Sequence, residues 1–445
     1  MSAAPDAVKK APKPRVASYL GGALGRLLPA SIPFRYFGAA AAYHVLAWAA
    51  LFASASDVPR FAGGLGWPLA ALHLVTLGVL VMTAIGASMQ LLPVATRQSL
   101  HSSRTAIAIW WLYTPGVAAT SLGMGLGRPM LLASGAVAVA VALAVYAVVL
   151  ARNLVGAKGM PGVVAHGFVA WLSLVVLLAA ALSLALAYVG GPGLPRPIAL
   201  ALHLPFAAFG FIGMLALGLS YIVVPLFALS EPIDERIALA SCAFAVAGLC
   251  AAAVSAFALP GIRWRAGGIV AGAVAVALHL WLMRAALASG MRRDLGASFH
   301  FVRAGWALLA ASLVAALVVA LRVPLAGAAT LFGFVLVAGW LLTFLLGVLQ
   351  RIVPFLASMH AARGRHLPPT PSALARGPAL RIHYVAHFAA LALLGLAIVT
   401  GHASLVRAAA LAGFAGACAF AWFFASVVHR MAAADPSAST RTVPA

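Results

Sequence analysis

Apolar residues in this chain come in runs of about twenty, and the short breaks between them hold most of the Arg, Lys, Asp and Glu. A helix needs about 20 mostly apolar residues to cross a bilayer. Twelve runs reach that length, at about 35–55, 68–95, 104–124, 129–151, 163–189, 198–227, 237–258, 266–288, 298–321, 327–356, 382–400 and 404–428. Too little chain lies between them to build a soluble domain. The pattern predicts an all-α integral membrane protein, with a basic tail at 1–34, a twelve-helix membrane domain at 35–430 and a second tail at 431–445.

A second pattern is laid over the first. Three runs share one ruler of Gly, seven residues, Gly, six residues, Pro: Gly78/Gly86/Pro93, Gly210/Gly218/Pro225 and Gly339/Gly347/Pro354. These are the second, sixth and tenth runs, so the twelve divide into three parallel four-helix repeats at about 35–155, 160–290 and 297–430. Eight-residue spacing puts both glycines near one helix face, about 80° apart, where small residues let helices approach closely in lipid. That packing role accounts for the ruler without any ligand. The first runs share a Trp (Trp48, Trp171, Trp306), and the fourth runs of the first two repeats pair Tyr146 with Trp281.

Composition agrees with a membrane class. The chain is 64% hydrophobic and 8% charged, with mean hydropathy +1.07, against about 25% charged in soluble domains. The net charge of +22 would suit nucleic acid if it formed a patch, but Lys and Arg instead cap the runs. With the N-terminus inside, 21 basic residues flank the inner side and 7 the outer, and Arg303 lies just within the ninth run. This asymmetry predicts a multi-pass protein of the inner (cytoplasmic) membrane with both termini in the cytoplasm. The partner implied by the basic tail is anionic lipid, not nucleic acid.

Candidate chemistry narrows to histidine. Asp6, Asp57, Glu231, Asp234, Glu235, Asp294 and Asp435 all fall in tails or loops, which argues against a carboxylate-based ion route through the membrane. Cys242, Cys250 and Cys418 form no CxxC or haem-attachment motif. His383 and His387, spaced i and i+4, share a helix face and could bind one metal. His73, five residues before Gly78, and His203, seven before Gly210, fall at about one depth near the outer ends of their runs. Neutral imidazole is an axial ligand for haem iron. The bland reading of each of these residues is a hydrogen bond to a neighbouring helix.

Twelve helices in three arcs, with His near the outer ends of the second and sixth, resemble haem–copper oxidase subunit I over about 35–430. The tenth run carries the most specific likeness. Where that family, especially its cb-type branch, has His-x-His, four residues and Gly-Trp, this chain reads Phe332-Gly333-Phe334, four residues and Gly339-Trp340. The resemblance implies His73 as a low-spin haem ligand and His203 as a copper ligand. The family's seventh helix carries two further copper ligands, and here AFALPGIRW has no His. The second run, LHLVTLGVLVMTAIGASMQLLPVATRQ, is also similar to that of the haem- and copper-binding NnrS family, without the acidic residue expected beside its His.

The resemblance therefore implies a haem- or metal-binding membrane protein without an intact oxygen-reducing centre. Such a protein would work in respiratory or nitrogen-oxide metabolism, beside other respiratory membrane subunits or a cytochrome. With Phe334 at the family's partner position and His203 on a different arc, a five-coordinate haem on His73 is expected. Phe332 and Phe334 are expected to fill the space of a lost haem. The competing class is a transporter or structural subunit whose histidines only join helices.

Overall fold

The computed structural model describes residues 28–98, 102–258, 261–361 and 369–434. Residues 1–27 of the basic tail, His101, His366 and residues 435–445 of the second tail lie outside them. The described residues form helices and no strand. The long helices are α1 Ser31–Ala53, α2 Trp67–Thr96, α3 Ser103–Gly125, α4 Pro129–Val155, α5 Pro161–Val189, α6 Arg196–Ala228, α7 Glu235–Phe257, α8 Ile262–Ser289, α9 Ala297–Ala320, α10 Ala328–Ala361, α11 Ala379–Thr400 and α12 Ala403–Ala433.

Eleven of these are long and apolar enough to cross a membrane. The chain is thus an all-helical, multi-pass membrane protein. The exception is α3, 23 residues long, whose middle carries Trp110, Trp111, Tyr113, Thr114 and Pro115. These dilute its apolar content without stopping the helix. Local chemistry sets the boundaries. Pro stands in the first turn of α2, α4, α5 and α6, where its missing N–H costs nothing. Ser102 and Asp234 cap α3 and α7 by accepting backbone N–H groups. Arg303 is exposed on α9, as a side chain reaching for the headgroups must be.

Three helices, α2, α6 and α10, stand inside and touch one another, and the other nine surround them. The outer ring closes: α4 packs on α5, α8 on α9, and α12 on α1. The inner three enclose a void of about 70 Å³ whose walls come from those helices alone.

These are the ruler helices, and each is wound as a π-helix for eight residues: Leu74–Val81, Phe206–Gly213 and Val335–Leu342. Every π segment begins four residues before the first ruler glycine. π turns are rare and mostly single, so three at one register are a shared feature.

The glycines do what close packing requires. A Cβ on Gly86, Gly218 or Gly347 would lie 2.7–2.8 Å from the Cβ of Tyr36, His166 or Phe301 on α1, α5 or α9. One helical level away, Gly78, Gly210 and Gly339 face Tyr43, Ser173 and Leu308, each seven residues further along the same partner helix.

This frame corrects two alignments made on residue type. Trp171 and Trp306 both stand five residues past the frame residue, but Trp48 stands twelve past Tyr36, two turns away from them. Tyr146 is 1% exposed and Trp281 54%, so they face opposite ways. The buried set Ala142, Leu143, Tyr146 and Leu150 matches Ala275, Val276, His279 and Met283, which puts His279 where Tyr146 stands.

Candidate functional site

His73 is the last α-helical residue before the π segment of α2, and His203 lies three residues before that of α6. The Nδ1 of His73 takes the Leu69 carbonyl at 3.0 Å. A carbonyl only accepts, so Nδ1 carries the proton and Nε2 keeps its lone pair. That is how a ligating imidazole is held by its second nitrogen. The Nδ1 of His203 is buried and has no hydrogen-bond partner. Both residues are half-buried.

The two rings are neighbours, with centroids 6.3 Å apart and planes 33° apart. The arcs do not keep them apart, because both stand on inner helices that touch. Imidazole nitrogen binds a metal at about 2.0–2.1 Å, and with ~1.1 Å more from nitrogen to ring centre, two rings sharing one metal in line have centroids about 6.3 Å apart. The observed centroid distance equals that spacing, and the Nδ1 of His203 is left without a protein partner. No third ligand joins them: among the described residues no group of three His, Cys, Asp or Glu could hold a metal ion.

On α10 the equivalent positions are Phe332, seven before Gly339, and Phe334, five before it. Phe334 packs on α11 at Gly395. Phe332 forms part of the wall of an apolar cavity of about 530 Å³.

His383 and His387 sit in a different place. They lie against Phe301, Phe388 and Phe420, not His203, with ring centroids 5.7 Å apart. The Nδ1 of His383 meets the Gly416 carbonyl at 2.9 Å. Thr343 gives its hydroxyl proton to the Ala338 carbonyl (2.8 Å), so it accepts from the His387 Nε2–H at 2.9 Å. That nitrogen of His387 is committed as a donor, whereas the Nε2 of His383 is buried without a hydrogen-bond partner. Nearby, Trp48 donates to the His44 Nε2 at 3.1 Å.

A cluster not apparent from sequence joins α5, α6, α8 and α9. The rings of His166, Tyr221, His279 and Trp306 follow one another with centroids 5.1, 5.3 and 6.5 Å apart. All four are buried, and His166 Nε2, Tyr221 Oη, His279 Nδ1 and Trp306 Nε1 have no hydrogen-bond partner. Ser241 is close to Tyr221 but donates to the Ala275 carbonyl at 2.8 Å. His166 Nδ1 is taken by the Gly162 carbonyl, leaving Nε2 an acceptor, whereas Trp306 can only donate. Water, which both donates and accepts, can satisfy either kind of atom.

No family model matches this chain, and no curated protein matches it either.

Proposed function

We propose that this chain is a metal-holding membrane protein with haem iron or copper between His73 and His203. The observation that carries this reading is the 6.3 Å separation of the two rings, one of them clamped so that its Nε2 lone pair is free. A bound iron or copper would supply one-electron chemistry or a site for a small ligand. His73 and His203 would hold it, and Leu69 would fix the His73 tautomer. With both imidazoles as candidate holders, this reading departs from the single His73 ligand that the likeness alone implies.

The framework belongs with this reading. The common register of the π segments, the glycine contacts at seven-residue steps and the closed outer ring support a twelve-helix, threefold repeat. That architecture supports membership of the haem–copper oxidase subunit I superfamily, in respiratory or nitrogen-oxide metabolism. With Phe at 332 and 334, an oxygen-reducing centre is not part of the proposal. The basic residues support an inner-membrane protein with both termini in the cytoplasm.

The test is a reduced-minus-oxidised absorption spectrum, with iron and copper analysis, of protein purified from cells given ample haem and copper. One metal per chain is expected, lost in His73→Ala and in His203→Ala and kept in His383→Ala. Wild-type protein that carries neither metal would leave the histidines as joints between helices and defeat the proposal.

A further inference from the structure

The 530 Å³ cavity lies among α6, α7, α8, α9 and α10, and its wall carries no histidine, cysteine or carboxylate. Leu200 and Leu204 line it yet are 55% and 45% exposed, so it is reached from outside the bundle beside α6. Its depth is apolar, closed by Phe332 and by the Phe209–Trp340 pair with centroids 5.5 Å apart. At about 30 Å³ for a water-sized group, the space takes on the order of eighteen such groups, the length of one acyl chain.

The polar part of the wall is Ser255 and Arg265, where α7 ends and α8 begins. The last residue of α9, Ala320, lines the cavity too, and exposed Arg322 follows it. Exposed Arg263 and half-exposed Trp264 precede Arg265, the pairing of cation and aromatic found at membrane interfaces. The connections at this end, 186–197, 254–265 and 320–328, contain no acidic residue, and among the described residues no carboxylate pairs with Arg265.

From the apolar depth and the uncompensated cation at its polar end, we propose that the cavity binds one anionic phospholipid. An acyl chain would lie along Phe332 and Trp340, with the phosphate on the Arg265 guanidinium. The inference does not depend on any metal at His73 and His203.

Native mass spectrometry of the full chain, released from nanodiscs of equal phosphatidylglycerol and phosphatidylcholine, tests it. One phosphatidylglycerol should stay bound, preferred about fivefold, the factor one surface arginine supplies. Arg265→Glu should erase the preference. Gly272→Phe should expel the lipid, since a side chain there enters the cavity and its Cβ comes no closer than 3.9 Å to a neighbour. Gly272→Leu is the milder version should the larger side chain impair folding. Equal retention of both lipids by the wild type, or retention unchanged in the folded Gly272 variant, would overturn the proposal.

Discussion

Tyr43 lies on Gly78 so closely that a Cβ on the glycine would fall 2.7 Å from the tyrosine's own Cβ. The tyrosine is then free to donate its hydroxyl to the Thr114 carbonyl at 2.6 Å. One missing methyl thus brings α1 onto α2 and lets α1 reach α3. Gly86, Gly218 and Gly347 make the same approach, but Gly339 does not, since a Cβ there would meet Leu308 at an ordinary 3.4–3.5 Å. Alanine at Gly78, Gly218 or Gly347 should therefore cost about 1–3 kcal/mol through overpacking. Gly339→Ala should be neutral or gain up to about 1 kcal/mol from helix propensity. Unfolding in mixed micelles separates the two outcomes. Equal losses at all four would mean that the contacts do not set the packing.

A second prediction concerns the ligand set at His73 and His203. If both imidazoles bind a haem, His203→Met should retain it and raise its reduction potential, because thioether replaces imidazole. His203→Ala should instead lose the haem. A haem spectrum and potential identical in the wild type and in His203→Met would place the second ligand elsewhere.

What could be read from sequence follows from what lipid demands. Backbone groups must be satisfied within each span, so runs such as 68–95 and 198–227 announce themselves as helices. Glycine at a close contact has no substitute, so the ruler showed too. The π segments left no trace, because the same apolar residues suit α or π winding. Their consequence was hidden with them: the offsets of His73 and His203 are plain in the sequence, but their meeting depends on α2 and α6 both standing inside the ring. Matching by residue type failed where side chains serve different ends. Trp48 bonds His44 within α1, whereas Trp306 belongs to the His166–Tyr221–His279 cluster, and nothing local distinguishes them.

That cluster gives a third prediction. Four unpartnered polar atoms in a membrane interior each carry a desolvation penalty of a few kcal/mol, and ordered water removes it. X-ray radiolytic footprinting labels side chains beside bound water. Tyr221 should be labelled well above Tyr113 and Tyr146, which are equally buried but bonded to the Leu77 carbonyl and to Ser88. Trp306 should exceed Trp48 for the same reason. Equal rates within each pair would show the cluster to be dry.

The last prediction separates packing from ligation at His387. Thr343 is fully buried and accepts from the His387 Nε2–H while donating to the Ala338 carbonyl within the α10 π segment. Thr343→Val removes the acceptor and leaves an imidazole N–H unpaired in an apolar setting, at a cost of about 1–3 kcal/mol. His387→Phe alone loses the hydrogen bond but leaves a hydroxyl that still has the Ala338 carbonyl, so it should cost less. Removing both partners takes away the stranded donor, so the double variant should be more stable than Thr343→Val alone. A coupling energy of about 1 kcal/mol or more in the double-mutant cycle is the expected result. If His387 were instead a metal ligand, Thr343→Val would spare stability, and its visible effect would be on bound metal. Metal content and unfolding measured on the same three variants decide between the two, with unchanged metal and additive losses ruling out both.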